Sequence, residues 1–234
     1  TIREIPRVRQ DGARRMRTFF LKKAGFTGRV WPVNPTSKSV QGIDAVASIS
    51  DIDGPVDQAI IAVAAAQVEQ AIDACIRKGI GAVQIFTAGF AEIGDEGKRA
   101  QAAIRDKANA AGVRLLGPNS LGLFNVVDGF FGTFATALDG AWPKRGPIGI
   151  ATQSGAFGSY AYGVAQGRGL GFSYFVATGN ESDVDVAECI AWLVEDPHTR
   201  VIVAAFEGCQ NGERLLDALD RAYLAGKPVI AMKA

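Results

Sequence analysis

The sequence has 234 residues, enough for one large domain or two small ones at ~150 residues per domain. Its 25 Lys+Arg against 24 Asp+Glu exclude a generally basic nucleic-acid surface, and 48% apolar residues supply a core that a disordered chain lacks. The longest apolar run, residues 59–66, is far too short to span a bilayer, and the opening TIREIPRVRQDGARRMR holds no signal core, so no membrane partner is expected.

The elements alternate along the chain. Residues 11–24 read as a helix stopped by Gly25, and 29–33 (RVWPV) as a short strand, with Pro32 placing it near an edge. A buried strand follows at 57–64. Val68, Ala71, Ile72, Cys75 and Ile76 lie at helical spacing over 67–78, ended by Gly79. Residues 82–87 form a strand, 95–111 a helix ended by Gly112, and 113–116 a strand running into GPNSLG. Repeated strand–helix–strand units imply a parallel sheet covered by helices.

The rhythm breaks over 125–145, an aromatic, glycine-rich stretch read as a connection with a hairpin and as the domain boundary. It resumes with strands at 148–152, 172–178, 200–206 and 228–233 and helices at 155–166, 184–195 and 212–225, a flavodoxin-like unit. A first domain of this kind should open with a strand and a glycine-rich turn. The residues before Asp11 are charged and carry Pro6, so that strand and loop are expected to be missing.

In doubly wound sheets, ligands bind beyond the carboxyl ends of the strands. Those ends carry Val33-Asn34-Pro35, Ala64-Ala65-Ala66, Phe86-Thr87-Ala88-Gly89, Gly117-Pro118-Asn119-Ser120, Thr152-Gln153-Ser154-Gly155, Thr178-Gly179-Asn180-Glu181 and Phe206-Glu207-Gly208. Gln153-Ser154-Gly155-Ala156 ends a strand and opens a helix, so free backbone N–H groups, the helix dipole and a hydroxyl can hold an anion; Ser154 can equally serve as a helix cap alone. Gly94–Lys98 lacks the glycine and hydroxyl of a P-loop, and Gly167, Gly169 and Gly171 follow no strand. The basic residues Arg3, Arg7, Arg9, Arg14, Arg15, Arg17, Lys22 and Lys23 read as a solvated helix face. His198 is the only histidine and sits in the turn DPHT, where a solvated residue is expected. Cys75, Cys189 and Cys209 share no short spacing; buried free thiols in a reducing cytoplasm are expected, with no metal site.

VNP at 33–35, TAGFAEIGDEG at 87–97, LLGPNSLGLFN at 115–125, IATQSGAFG at 150–158 and TGNESDVDVAECIAWLVEDPHTRVIVAAFEG at 178–208 resemble the NDP-forming acyl-CoA synthetases, that is, ADP-forming acetyl-CoA synthetases and the α subunit of succinyl-CoA synthetase. The resemblance covers residues 20–234. It implies an α/β fold with a Rossmann-like CoA-binding domain over 1–124, a connection over 125–146, and a flavodoxin-like ligase domain over 147–234 that stops before the family's catalytic-histidine loop. The implied reaction turns an acid, coenzyme A and a nucleoside triphosphate into acyl-CoA, nucleoside diphosphate and phosphate, through an acyl phosphate and a phosphohistidine. ATP or GTP with Mg2+ would sit on a separate ATP-grasp domain or subunit, and the resemblance admits a homo-oligomer.

Carried over by position, Asn34 and Pro35 match the loop that meets the CoA nucleotide, and Lys38 a lysine near its phosphates. Thr87, Ala88 and Gly89 match the loop along the pyrophosphate and pantetheine, and Asn119 and Ser120 the turn near the thiol. Gln153, Ser154, Gly155 and Ala156 match the helix N-terminus that holds phosphate, and Glu207 an acid that bonds the active histidine. His198 matches the family's D-P-x-T turn and cannot replace that histidine, so this chain alone is expected neither to phosphorylate itself nor to make acyl-CoA. The alternative is a CoA-sensing module of a larger protein, such as a protein lysine acetyltransferase. A dehydrogenase would need an acid where Asn34 stands.

Overall fold

The computed structural model describes the backbone of residues 2–3 and the whole of residues 20–140 and 142–233. Two main sheets carry the chain. The first has the order β2-β1-β5-β6-β7 and is parallel throughout. Its strands are β1 (Ile2–Arg3), β2 (Pro32–Val33), β5 (Gln58–Ile61), β6 (Ala82–Ile85) and β7 (Arg114–Leu116). A small antiparallel pair, β3 (Ser39–Val40) and β4 (Ile43–Asp44), lies between β2 and β5 in sequence.

The opening strand is a correction. Ile2–Arg3 stands between β2 and β5, pairing Ile2 with both Pro32 and Ile60. Two residues are too short for a period-2 pattern to show, and Arg3 hid the hydrophobic signal. The glycine-rich loop and the start of the first helix fall on residues 4–19, outside the described residues. The described end of that helix, α1 (residues 20–23), runs into Gly25 at φ 72, the expected left-handed stop.

α2 (Val68–Lys78) buries Val68, Ile72 and Cys75, one face at 3.6-residue spacing, against β5 and β6. Gly79, at φ 76, ends it by donating to the Cys75 and Ile76 carbonyls. α3 (Asp95–Ala110) buries Ile104 and Ala108 in the same core.

The second sheet has the order β13-β12-β10-β11-β8-β9. The strands β10 (Arg145–Thr152), β11 (Phe172–Ala177), β12 (Val201–Phe206) and β13 (Val229–Lys233) run parallel, linked by α5 (Gly155–Gly167), α6 (Val186–Glu195) and α7 (Gly212–Leu224). The stretch expected as a connection is built into this sheet. β8 (Gly122–Asn125) pairs antiparallel with β11 and with β9 (Phe130–Thr133), so Gly122–Phe124 belong to the second sheet and not the first. Aromatic packing decides this. Phe124 stacks on Phe131 at 5.2 Å and on Phe175 at 4.9 Å, and Phe131 stacks on Trp142 at 4.5 Å. Asn125 Oδ1 accepts from the Val127 and Asp128 N–H groups and closes the turn. A four-residue helix, α4 (Ala137–Gly140), completes the return.

Candidate active site between the two sheets

The carboxyl ends of β7, β10, β11 and β12 converge. The β7 loop descends from Gly117 to Ser120, where Asn119 N–H donates to the Thr87 carbonyl (2.9 Å) and Ser120 N–H to the Ile85 carbonyl (3.2 Å). The loop after β11 lies along it. Asn180 N–H bonds the Pro118 carbonyl (2.9 Å), Ser182 N–H that of Gly117 (3.1 Å) and Val184 N–H that of Leu115 (3.1 Å). Gly179, at φ 67, is required here, since a Cβ would stand 2.5 Å from the Pro118 oxygen. Arg114 seals the outer edge by bonding Asp183 (2.9 Å) and Glu188 (2.8 Å), and these two carboxylates raise its pKa further above the arginine range.

Above this seam opens a cleft of about 590 Å³. It is lined by Glu92, Asn119, Ser120, Leu121, Phe134, Gln153, Ser154, Gly155, Ala156, Gly179, Asn180, Glu207 and Gly208. Seven of the residues carried over from the family resemblance therefore meet at one place: Asn119, Ser120, Gln153, Ser154, Gly155, Ala156 and Glu207.

Their roles differ. Ser154 caps α5, its Oγ accepting from Phe157 N–H at 3.3 Å. The N–H groups of Gly155 and Ala156, in the first turn, have no intrahelical acceptor and border the cleft. Gly155 is bare because Leu121 occupies the space; a Cβ would lie 2.5 Å from that of Leu121. Gln153 Oε1 accepts from Glu207 N–H (2.6 Å) and Gly208 N–H (3.1 Å). Glu207 is exposed, with no hydrogen bond or ion pair to its carboxylate among the described residues. Ser120 is 1% exposed; its hydroxyl donates to the Ala177 carbonyl (2.6 Å) and accepts from Gly122 N–H (2.9 Å). That hydroxyl is engaged inside the protein, while the residue itself lines the cleft beside Asn119.

The remaining candidates lie outside this lining. Thr87 Oγ1 bonds the Val63 carbonyl at 2.7 Å. Ala88 is exposed, and Gly89 takes φ 103, with its N–H bonded to Glu92 Oε1 at 2.5 Å. Asn34 Oδ1 accepts from Thr36 N–H, Thr36 Oγ1 and Ser37 N–H, all within 3.0 Å, which shapes the loop holding Pro35. Lys38 is exposed, without an ion-pair partner among the described residues. His198 is exposed at the opposite end of β12 from Glu207, with Nδ1 3.4 Å from Arg145 Nη2. Lys22 reaches the Gln41 carbonyl (3.3 Å) and Lys23 lies 4.5 Å from the Trp142 ring; the other basic residues of the N-terminal run have side chains outside the described residues. Cys75 and Cys189 are buried, and burial pushes the Cys75 thiol up to about 11. Cys209 is exposed, against expectation, because it follows the strand end in the loop before α7.

Three polar residues at or beside the cleft had no role assigned from the sequence: Glu92, which gave no signal, and Asn180 and Glu181, which stood at a strand end. Asn180 Nδ2 donates to Glu92 (2.5 Å) and Gln101 (3.0 Å), and its Oδ1 accepts from Asn119 (3.2 Å). Burial pushes the Glu92 carboxyl up, but hydrogen bonds from Asn180 and from the Gly89 and Phe90 backbone outweigh it and leave it below its ordinary value. Glu181, 5% exposed, accepts from Gln153, Thr178 and Val186; burial outweighs these bonds and raises its carboxyl.

Among the described residues, no group of three His, Cys, Asp or Glu side chains could hold a metal ion, and no helix is long and apolar enough to cross a membrane.

Comparison with known proteins finds two family matches in succession, the first running through β8 of the second sheet. Residues 11–125 match the CoA binding domain family, and residues 145–234 the succinyl-CoA ligase like flavodoxin domain family. The chain is 36% identical over 207 residues to the acetate–CoA ligase (ADP-forming) II α subunit of Pyrococcus furiosus, covering 88% of this chain and 44% of that one. It is 35% identical over 216 residues to acetate–CoA ligase (ADP-forming) II of Archaeoglobus fulgidus, covering 92% and 31%. The structure of a dinucleotide-forming acetyl-coenzyme A synthetase 1 from Ca. Korarchaeum cryptofilum, in complex with phosphate and ADP, superposes with a TM-score of 0.89 at 29% identity, covering 100% of this chain and 49% of that one. The chain spans less than half the length of these relatives. Two successive domain matches, relatives of one kind and a shared fold lead to one conclusion: the chain belongs to the NDP-forming acyl-CoA synthetase family, over its CoA-binding and succinyl-CoA ligase-like flavodoxin domains.

Proposed function

We propose that this chain is the coenzyme A-binding and acyl-transferring part of an ADP-forming acid–CoA ligase, which joins a small carboxylic acid to CoA at the expense of a nucleoside triphosphate. The observation that supports it is the cleft itself, where the turn at Asn119 faces the α5 N-terminus and Glu207 across two different sheets. CoA fits the first-sheet side. Gly89 at φ 103 keeps its loop free of a Cβ that would crowd Ala65 at 3.2 Å, and Thr87, Ala88 and Asn119 are small or polar. Asn34, Pro35 and Lys38 would meet the nucleotide end, and bound CoA would supply a thiol to accept the acyl group. On the second-sheet side, Gly155 and Ala156 N–H groups orient a phosphate group while Ser154 holds the helix end in place. Glu207 is an exposed acceptor able to orient an imidazole N–H brought to the cleft.

Relatives named as α subunits support a separate ATP-grasp domain or subunit that would hold ATP or GTP with Mg2+. Three free cysteines fit a reducing cytoplasm. The test is to incubate the full-length protein and its ATP-grasp partner with CoA, Mg2+, ATP or GTP and a panel of short carboxylic acids. Acyl-CoA and phosphate should appear together with nucleoside diphosphate. Absence of acyl-CoA with every acid, while CoA still binds by calorimetry, refutes the ligase assignment.

A further inference from the structure

We propose that Glu181 is a positioning residue, fixing the Glu207–Gly208 backbone at the cleft through the side-chain amide of Gln153. A glutamine amide is nearly symmetric in shape, so its orientation is set by its neighbours. Here Oε1 takes the N–H groups of Glu207 (2.6 Å) and Gly208 (3.1 Å), while Nε2 gives its protons to the Gly208 carbonyl (3.0 Å) and Glu181 Oε2 (2.5 Å). Turned over, the amide would set two donors against two donors and its oxygen against a carbonyl and a carboxylate. Glu181 is held in turn. Its Oε1 accepts from Thr178 Oγ1 (2.8 Å) and Val186 N–H (2.9 Å). The loops after β10, β11 and β12 are thus joined through one carboxylate and one amide.

Burial by itself opposes this arrangement. Glu181 is 5% exposed, with no cation bonded to it among the described residues, and its backbone takes the strained φ of 54. A buried carboxylate without a cation is unfavourable, and burial raises its pKa despite three donors. An apolar residue would leave the Val186 N–H, the Thr178 hydroxyl and the Gln153 amide without the acceptor each has here, and of these three only the Gln153 amide reaches the Glu207–Gly208 backbone.

The inference rests on the proposed function only for its kinetic consequence. In the full-length protein, Glu181→Gln leaves three donors facing a single oxygen. Hydrogen exchange of the segment at residues 204–210 should be about tenfold faster in Glu181→Gln and in Gln153→Ala, the scale of one hydrogen bond. The double variant should exchange no faster than Gln153→Ala alone. Thr178→Val, a milder change that removes one donor from Glu181, should give a smaller rise. With the ATP-grasp partner present, kcat should fall about tenfold in Glu181→Gln and in Gln153→Ala and no further in their double variant, with KM for CoA within twofold of wild type. Unchanged exchange in both Glu181→Gln and Thr178→Val overturns the inference, as does an additive double variant. A wild-type protein without ligase activity refutes the proposed function, while the exchange measurements still decide the role of Glu181.

Discussion

Replacing Ser120 by alanine separates two roles for its hydroxyl. In the structure that hydroxyl donates to the Ala177 carbonyl and accepts from Gly122 N–H, at 2.6 and 2.9 Å, in a site 1% exposed. Alanine fits the space but leaves a buried N–H and a buried carbonyl without this partner. At ~1–2 kcal/mol for each such group, the loss is about 3 kcal/mol. For a cooperative unit of about 150–250 residues that lowers the melting temperature of the transition in which these two domains unfold by roughly 6–12 °C. The assay is thermal and urea unfolding of the full-length protein, paired with calorimetry of CoA binding below the variant's melting range. The expected result is a large drop in stability with CoA affinity changed less than twofold. An unchanged melting temperature together with a clear loss of CoA affinity would refute the reasoning and return Ser120 to the ligand.

Thr87→Trp should fill the groove beside Gly89 and weaken CoA binding at least tenfold; calorimetry giving wild-type affinity contradicts the proposed CoA path. Gly155→Val should lower stability by about 1–3 kcal/mol through overpacking against Leu121, and an unmoved denaturation midpoint would contradict that contact. Because the folded-state value of Glu92 is depressed, its contribution to stability is present above its ordinary value of 4.5 and is lost as pH falls through the depressed value. The stability gap between wild type and Glu92→Gln should therefore close on acidification below 4.5, and melting curves showing a gap that widens would contradict the bonds at Gly89 and Asn180. Label from radioactive ATP, supplied with Mg2+ and the ATP-grasp partner, should not map to His198. The six residues of β12 put about 20 Å between its two ends, and His198 and Glu207 lie at opposite ones; labelled His198 in peptide mapping would contradict the topology of the site.

The alternation of strands and helices, the stops at Gly25 and Gly79, and the cap at Ser154 were legible because each is set by residues within one or two turns of chain. Hydrophobic period, a left-handed glycine and a capping hydroxyl act locally. So was the place of the cleft, since a parallel sheet always presents its loops at the carboxyl ends of its strands. Tertiary structure alone decided which sheet received Gly122–Asn125, because its pairing with β11 depends on Phe124 meeting Phe175, some fifty residues onward. It also decided that the Ser120 hydroxyl faces Ala177 and that Gln153 is gripped by Glu181 and by the Glu207 backbone, 28 and 54 residues away. Side chains that meet only when two sheets come together leave no period in the sequence, so their bonds become visible only in the folded chain.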